Sequence, residues 1–233
     1  MVPIPWCPAQ PISHVAGAQA CTTHLEKKRF RPSELDRLDV HDRRIRFIQW
    51  IETIATERLI FLDESGCNLA MTPSYAWALR GHRAYDDRPN NWGGNITAIA
   101  AIRSDSIVCQ RSFVGAMNTP RFVDFVEHQL VPQLRKGDVV LLDNLLPHKA
   151  LRARELVNAA GAELVLLPPY SPDLNPIEPL WGFVKAKLQR AKQRTVSALR
   201  AALRRTIGRV PIRHLLAWFK HCGYHHQPNR SLV

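Results

Sequence analysis

The chain has 233 residues, enough for one sizeable domain and a smaller appendage, and 45% of them are apolar, which excludes a disordered chain. Thirty-two Lys and Arg against 20 Asp and Glu leave a formal net charge of +12 and a pI near 10, which points to a polyanionic partner, nucleic acid before a membrane surface. No apolar run approaches the roughly 18–20 residues of a membrane span, and Cys7, Cys21, Cys67, Cys109 and Cys222 form no C-x-x-C pair, so neither a zinc knuckle nor a disulfide framework is indicated and a reducing cytosol fits.

Residues 1–25 read as a poorly ordered leader: Met1–Thr23 carries four prolines before Ser13, no charged side chain and no signal-peptide pattern. A basic arm with Lys27, Lys28 and Arg29 follows, then a helical pattern from about Ser33 to Thr56. Ile45, Ile48, Trp50, Ile51 and Ile54 lean towards one face of that helix, while Arg43, Arg44 and Arg46 decorate the rest. Residues 26–57 are then either a linker arm running along phosphates or a solvated helix packed on a sheet. Arg58–Gly66 is a β-type run with Asp63 at the end of its apolar stretch. Glu64, the next residue, should point to the opposite face.

Tyr75–Ala84 suggests an extended segment with Arg80, His82 and Arg83 outward. Asp86–Gly94 is turn-rich, and its Asp86 and Asp87 read as solvated turn formers rather than metal ligands. Asn95–Ile102 and Ile107–Val114 form a hairpin, giving three antiparallel strands with the Leu59 run. Asn118 or Thr119 and Pro120 open a helix with Phe122, Val123, Phe125, Val126, Leu130 and Leu134 as its apolar positions. Val139–Leu142 is a strand that delivers Asp143, with Asn144 and His148 close behind. A helix from Pro147 to Ala160 ends at Gly161, and the strand Glu163–Leu167 stops at Pro168 and Pro169.

Four prolines between Pro168 and Pro176 stiffen the next turn. Asn175 is the expected helix cap, Pro176 the first helical residue and Glu178 a member of the first turn. Trp181 reads as core or wall, and Lys185 lies on the Glu178 face, with Arg190 further along. Val196–Val210 and Ile212–His221 are helical, with Arg200, Arg204, Arg205, Arg209 and Arg213 on or between them as candidate phosphate contacts.

Side chains at the carboxyl ends of strands in open α/β sheets face the ligand crevice, so Asp63, Asp143 and Glu178 are able to converge. Converging carboxylates repel unless cations lie between them, and hard oxygen ligands favour Mg²⁺ or Mn²⁺. Asp63-Glu-Ser-Gly, Asp143-Asn-Leu-Leu-Pro-His-Lys and Pro169-Tyr-Ser-Pro-Asp-Leu-Asn-Pro-Ile-Glu178 resemble the three catalytic blocks of DDE transposases, and more closely the bacterial insertion-sequence branch of the mariner-like superfamily. The 34 residues between Asp143 and Glu178 are the gap expected of that superfamily, and the resemblance runs from about Glu26 to Tyr224.

The order of elements is that of the ribonuclease H-like fold: α/β, with a mixed five-stranded sheet flanked by helices over 58–190 and a helical C-terminal extension over 191–233. The resemblance implies metal-dependent DNA strand cleavage and strand transfer, with Asp63, Asp143 and Glu178 holding two Mg²⁺ or Mn²⁺ ions. Asn144 and His148 would support them. Lys27, Lys28, Arg29, Arg80, Arg83, Lys149, Lys185 and Arg190 would touch double-stranded DNA, both terminal inverted repeats and target. A homodimer on paired ends, no membrane and a bacterial, nucleoid-associated setting complete the expectation. Nothing in residues 1–23 has the pattern of the helix-turn-helix modules the family carries, which suggests a catalytic fragment, a second reading frame or a truncated element. Two alternatives stand beside this reading: a catalytically silent DNA-binding remnant, and a ribonuclease H-like nuclease of another pathway.

Overall fold

The computed structural model describes residues 33–225, so the leader and the arm at Lys27, Lys28 and Arg29 lie outside the described residues. Five strands, β1 (Leu59–Cys67), β2 (Ile96–Ile102), β3 (Ile107–Val114), β4 (Val139–Leu142) and β5 (Glu163–Leu166), form one mixed sheet in the order β3-β2-β1-β4-β5. β1 and β3 each pair antiparallel with β2, whereas β4 runs parallel to both β1 and β5. The six helices are α1 (Leu38–Ile51), α2 (Thr119–Phe125), α3 (Leu151–Ala159), α4 (Ile177–Ala191), α5 (Val196–Gly208) and α6 (Ile212–His221).

The strands read as continuous apolar runs because both faces of the sheet are covered. Alternation sends Leu59, Phe61, Val139 and Leu141 into a core shared with α1, α4, α5 and α6. Ile60, Leu62, Val140 and Leu142 enter a second core with α2 and α3. Phe61 is the hub of the first, meeting Phe219 edge-on at 5.3 Å and Tyr224 at 4.9 Å between ring centroids. A chain with helices on both faces of a sheet needs long apolar strands, and these are what the sequence shows. No helix among the described residues is long and apolar enough to cross a membrane.

Several local expectations change. α1 buries Val40, Phe47 and Ile51, spaced seven and four apart, while Ile45 and Ile48 stay exposed because at about 100° per residue they fall off that stripe. The Tyr75–Ala84 segment is an exposed loop and forms no strand. The helix expected over 147–160 divides into a 3-10 turn, Leu146–Lys149, and α3, with Ala150 extended between them. Gly161 does end α3, at a positive φ of 75°. Asn118 caps α2 as expected, its Oδ1 accepting the Arg121 N–H at 3.1 Å. α2 then widens into a single π turn over Val126–Leu130 that keeps Val126 and Leu130 in the core.

One buried ion pair joins the β2–β3 turn to the start of β4. Arg103 donates two hydrogen bonds to Asp138, at 2.9 and 2.5 Å, and a third to the Glu57 carbonyl. Both side chains are at most 4% exposed, so each neutralises a charge that water no longer reaches.

Candidate active site

The site begins at a fork in the sheet. β1 pairs with β4 only from Leu59↔Val139 to Phe61↔Leu141, while its pairing with β2 continues to Cys67↔Ile96. Asp63 is therefore mid-strand and not at a strand end, contrary to the sequence expectation, yet it lies just past the point where the parallel partner leaves. Asp63 shares the parity of Phe61, which faces α4; Asp143 follows the last residue of β4, Leu142, and its side chain turns to His148. Asp63 is 7% exposed, and its Oδ2 accepts the indole Nε1–H of Trp181 at 3.0 Å. That bond ties α4 to the strand, a role the sequence pattern of α4 did not reveal.

Glu178 arrives by a braced loop. The expected cap is corrected: α4 starts at Ile177 after Pro176, and Asn175 ends a short 3-10 turn over Pro172–Leu174. The Asn175 side chain makes no capping bond; its Oδ1 is buried with no hydrogen-bond partner among the described residues, while its backbone oxygen receives the Glu178 N–H. Stiffness comes instead from other residues. Arg44 of α1 reaches Ser171 Oγ at 2.7 Å and grips both oxygens of Asp173, at 2.9 and 2.6 Å. Tyr224 donates to the Leu174 carbonyl at 2.7 Å. Tyr170, between them, holds a left-handed φ of 56°, a conformation costing a non-glycine residue about 1–2 kcal/mol.

His148 is the other organiser. Its Nδ1 lies 2.7 Å from Asp143 Oδ1 and its Nε2 2.8 Å from Glu64 Oε1, with the imidazole fully buried against Phe122. Glu64 does point to the opposite face from Asp63, as alternation requires. That face is where the turn after β4 carries His148, so Glu64 is engaged through the histidine. Asn144 does not touch Asp143; its Nδ2 donates to the Leu167 carbonyl at 2.6 Å and ties the end of β4 to the chain leaving β5.

The electrostatics follow from this crowding. Burial, with added repulsion from Glu178, Glu64 and Asp143, pushes Asp63 up to about 7. Burial also raises Glu178, where the Lys185 charge opposes the shift and Asp143 adds to it. Burial works to raise Asp143 too, but the His148 bond and the Leu145 N–H hold it below the usual carboxylate range. Burial works to lower His148, yet its two carboxylate partners raise it to about 10, so it is an imidazolium donating from both nitrogens at neutral pH. As the side chains stand, no group of three His, Cys, Asp or Glu among the described residues is gathered closely enough to hold a metal ion. The donor chemistry fits one nonetheless: Asp63 and Glu178 have their proton affinity raised by neighbouring carboxylates, and Asp63 is driven towards neutrality.

Of the expected DNA contacts, Arg80 and Arg83 stand in the exposed loop, Lys149 is exposed just after His148, and Arg190 is exposed in the last turn of α4. Lys185 is half-buried on the Glu178 flank. Asp86 is exposed, as expected, and pairs at the surface with Lys192 at 2.5 Å.

Sheet order, flanking layers and the position of the carboxylates define an α/β protein with the ribonuclease H-like fold, the same as that of the Mos1 transposase catalytic domain. Residues 58–200 match the DDE superfamily endonuclease family, and the chain belongs to it. It is similar in structure to the Mos1 transposase paired-end complex with left transposon end, at a TM-score of 0.69 and 17% identity over 86% of this chain and 63% of that one. The Mos1 strand transfer complex gives 0.65 and 17% over 88% and 67%. The catalytic domain of Mos1 mariner transposase gives 0.55 and 12% over 85% and 92%. The chain thus spans 63% of the length of the Mos1 transposase chain in that paired-end complex. No curated protein sequence matches it.

Proposed function

We propose that this chain is the catalytic part of a transposase of the bacterial insertion-sequence branch, cutting duplex DNA at the ends of a mobile element and joining them to a target. What supports the reading is the crowding of Asp63, Glu178 and Asp143, whose charges repel one another where β4 parts from β1, with the approach to Glu178 braced by Arg44. Asp63, Asp143 and Glu178 are the residues that would hold two Mg²⁺ or Mn²⁺ ions. Bound there, the ions would supply Lewis-acid stabilisation of the phosphodiester and a more acidic water. Mos1 structures with Mg and with Mn support that choice of ion, and those with transposon ends support the substrate.

The chain's own residues do the positioning. Trp181 fixes Asp63 Oδ2, the His148 imidazolium fixes Asp143 Oδ1, and the Arg44 clasp fixes the approach to Glu178. Water in the first step and the freed 3′-hydroxyl in the second would attack phosphorus directly, so no protein nucleophile is required. Pairing of two ends on a homodimer completes the proposal.

The test uses the full chain, a duplex carrying the inverted repeats that flank its own gene, and Mg²⁺ or EDTA. Nicking is expected with Mg²⁺ only. Asp63→Asn, Asp143→Asn and Glu178→Gln should each lower it by about a hundredfold or more while leaving gel-shift binding intact. A variant that cuts at the parent's rate removes its residue from the site.

A further inference from the structure

Charge is divided unevenly along this chain. Residues 179–233 contain twelve Lys and Arg and no Asp or Glu, so the first 178 residues hold twenty of each and the whole net charge of +12 falls on the last quarter. α4, α5 and α6 carry most of it. The sheet-facing stripe of α4 is Ile177, Leu180, Trp181, Val184 and Leu188. At about 100° per residue, Glu178 and Lys185 lie on one flank of that stripe, and Phe183 and Lys187 lie on the other.

On the second flank, α4, the end of α5 and the start of α6 enclose a cavity of about 500 Å³. Lys187, Arg205, Arg209, Arg213, His214 and Phe183 border it, and no acidic residue does. Arg44, Arg103 and Arg111 elsewhere each reach an aspartate. Arg205, Arg209 and Arg213 are exposed and have neither an ion pair nor a side-chain hydrogen bond among the described residues. The Lys187 ammonium sits 5.7 Å above the Phe183 ring, and the amino end of α6 adds helix-dipole charge of the same sign. Phe183, His214 and Trp218 pack on one another, with centroids 5.4 to 6.1 Å apart, so they form a wall and offer no open face to an unstacked base.

We infer that this cavity on the outer flank of α4 is a second DNA site, which grips the sugar–phosphate backbone of a duplex segment other than the one at the carboxylates. The inference rests on the proposal that the chain acts on DNA. Converging arginine forks without acidic partners match phosphate oxygens. Lys187 lies nine residues beyond Glu178, roughly 13 Å along the axis and on the far side of the helix, so DNA seated against Glu178 does not fill this cavity.

The test is equilibrium binding of the full chain to a labelled duplex in EDTA, across a range of KCl concentrations. The Arg205→Ala/Arg209→Ala/Arg213→Ala variant should bind about tenfold more weakly, with a log affinity–log salt slope shallower by about 2–3. The corresponding triple Lys variant should keep most of the slope. An alanine variant that melts like the parent and binds with the parent's affinity and slope overturns the second site alone. A parent chain that binds no duplex overturns the DNA reading together with it.

Discussion

Asp63 is an acid buried among other acids, and its proton affinity shows the cost. Its carboxyl is raised from 3.8 to about 7, so the folded chain keeps a proton that the unfolded chain has already released between those values. Stability from this residue is therefore lost as pH rises through that window. The Asp63→Asn protein, in EDTA, should melt higher than the parent at pH 8, and the gap should narrow at pH 5. Equal gaps at both pH values would show that Asp63 is not strained. His148 works in the same direction over a different range: its contribution is complete below 6.5 and is lost progressively as pH rises from there to about 10. Asp63, Asp143 and Glu178 were legible in the sequence because apolar runs, a proline-rich turn and fixed spacing marked them. The partners of those acids were not. Trp181 Nε1 and Glu64 reach their targets through space across 118 and 84 residues, which no local pattern records.

At the scale of elements, the loop before α4 shows how rigidity can be misassigned. Its prolines and Asn175 suggested a self-contained cap, but the hydrogen bonds that hold it come from α1 and from Tyr224. Arg44, an apparently solvated cation on α1, is the main clasp, and its guanidinium keeps the Asp173 carboxyl below its usual range. Asp173 is 58% exposed, so Arg44→Ala should cost only about 1 kcal/mol in a urea titration. Nicking should fall much further than stability, because the Glu178 approach loses its brace. Equal losses of both would make Arg44 a stability residue only. The helix expected over 147–160 was misjudged for a related reason: the 3-10 turn that carries His148 to Glu64 and Asp143 is set by those tertiary bonds, against local helix propensity.

For the whole molecule, the five strands and the antiparallel pairing of the first three followed from strand runs and hairpin spacing, whereas the tie between distant parts of the sheet did not. Arg103 and Asp138, each on an ordinary turn, meet in the interior. Arg103→Met should cost about 3–5 kcal/mol by stranding the Asp138 charge, and Arg103→Met/Asp138→Leu should recover much of that loss. Urea melts of both proteins decide it; a double variant no more stable than the single one would mean that the pair is not the reason.

The helices that hold the chain's positive pole also close its interior. α5 supplies Leu199, Leu203 and Ile207, and α6 supplies Leu215 and Phe219, to the core behind Phe61, two residues from Asp63. Electrical character and folding are thus written into the same helices. A truncation after α4 would leave a net charge of +3 but also bare a sheet face, so under the proposed function a weaker grip on DNA has to come from single surface arginines.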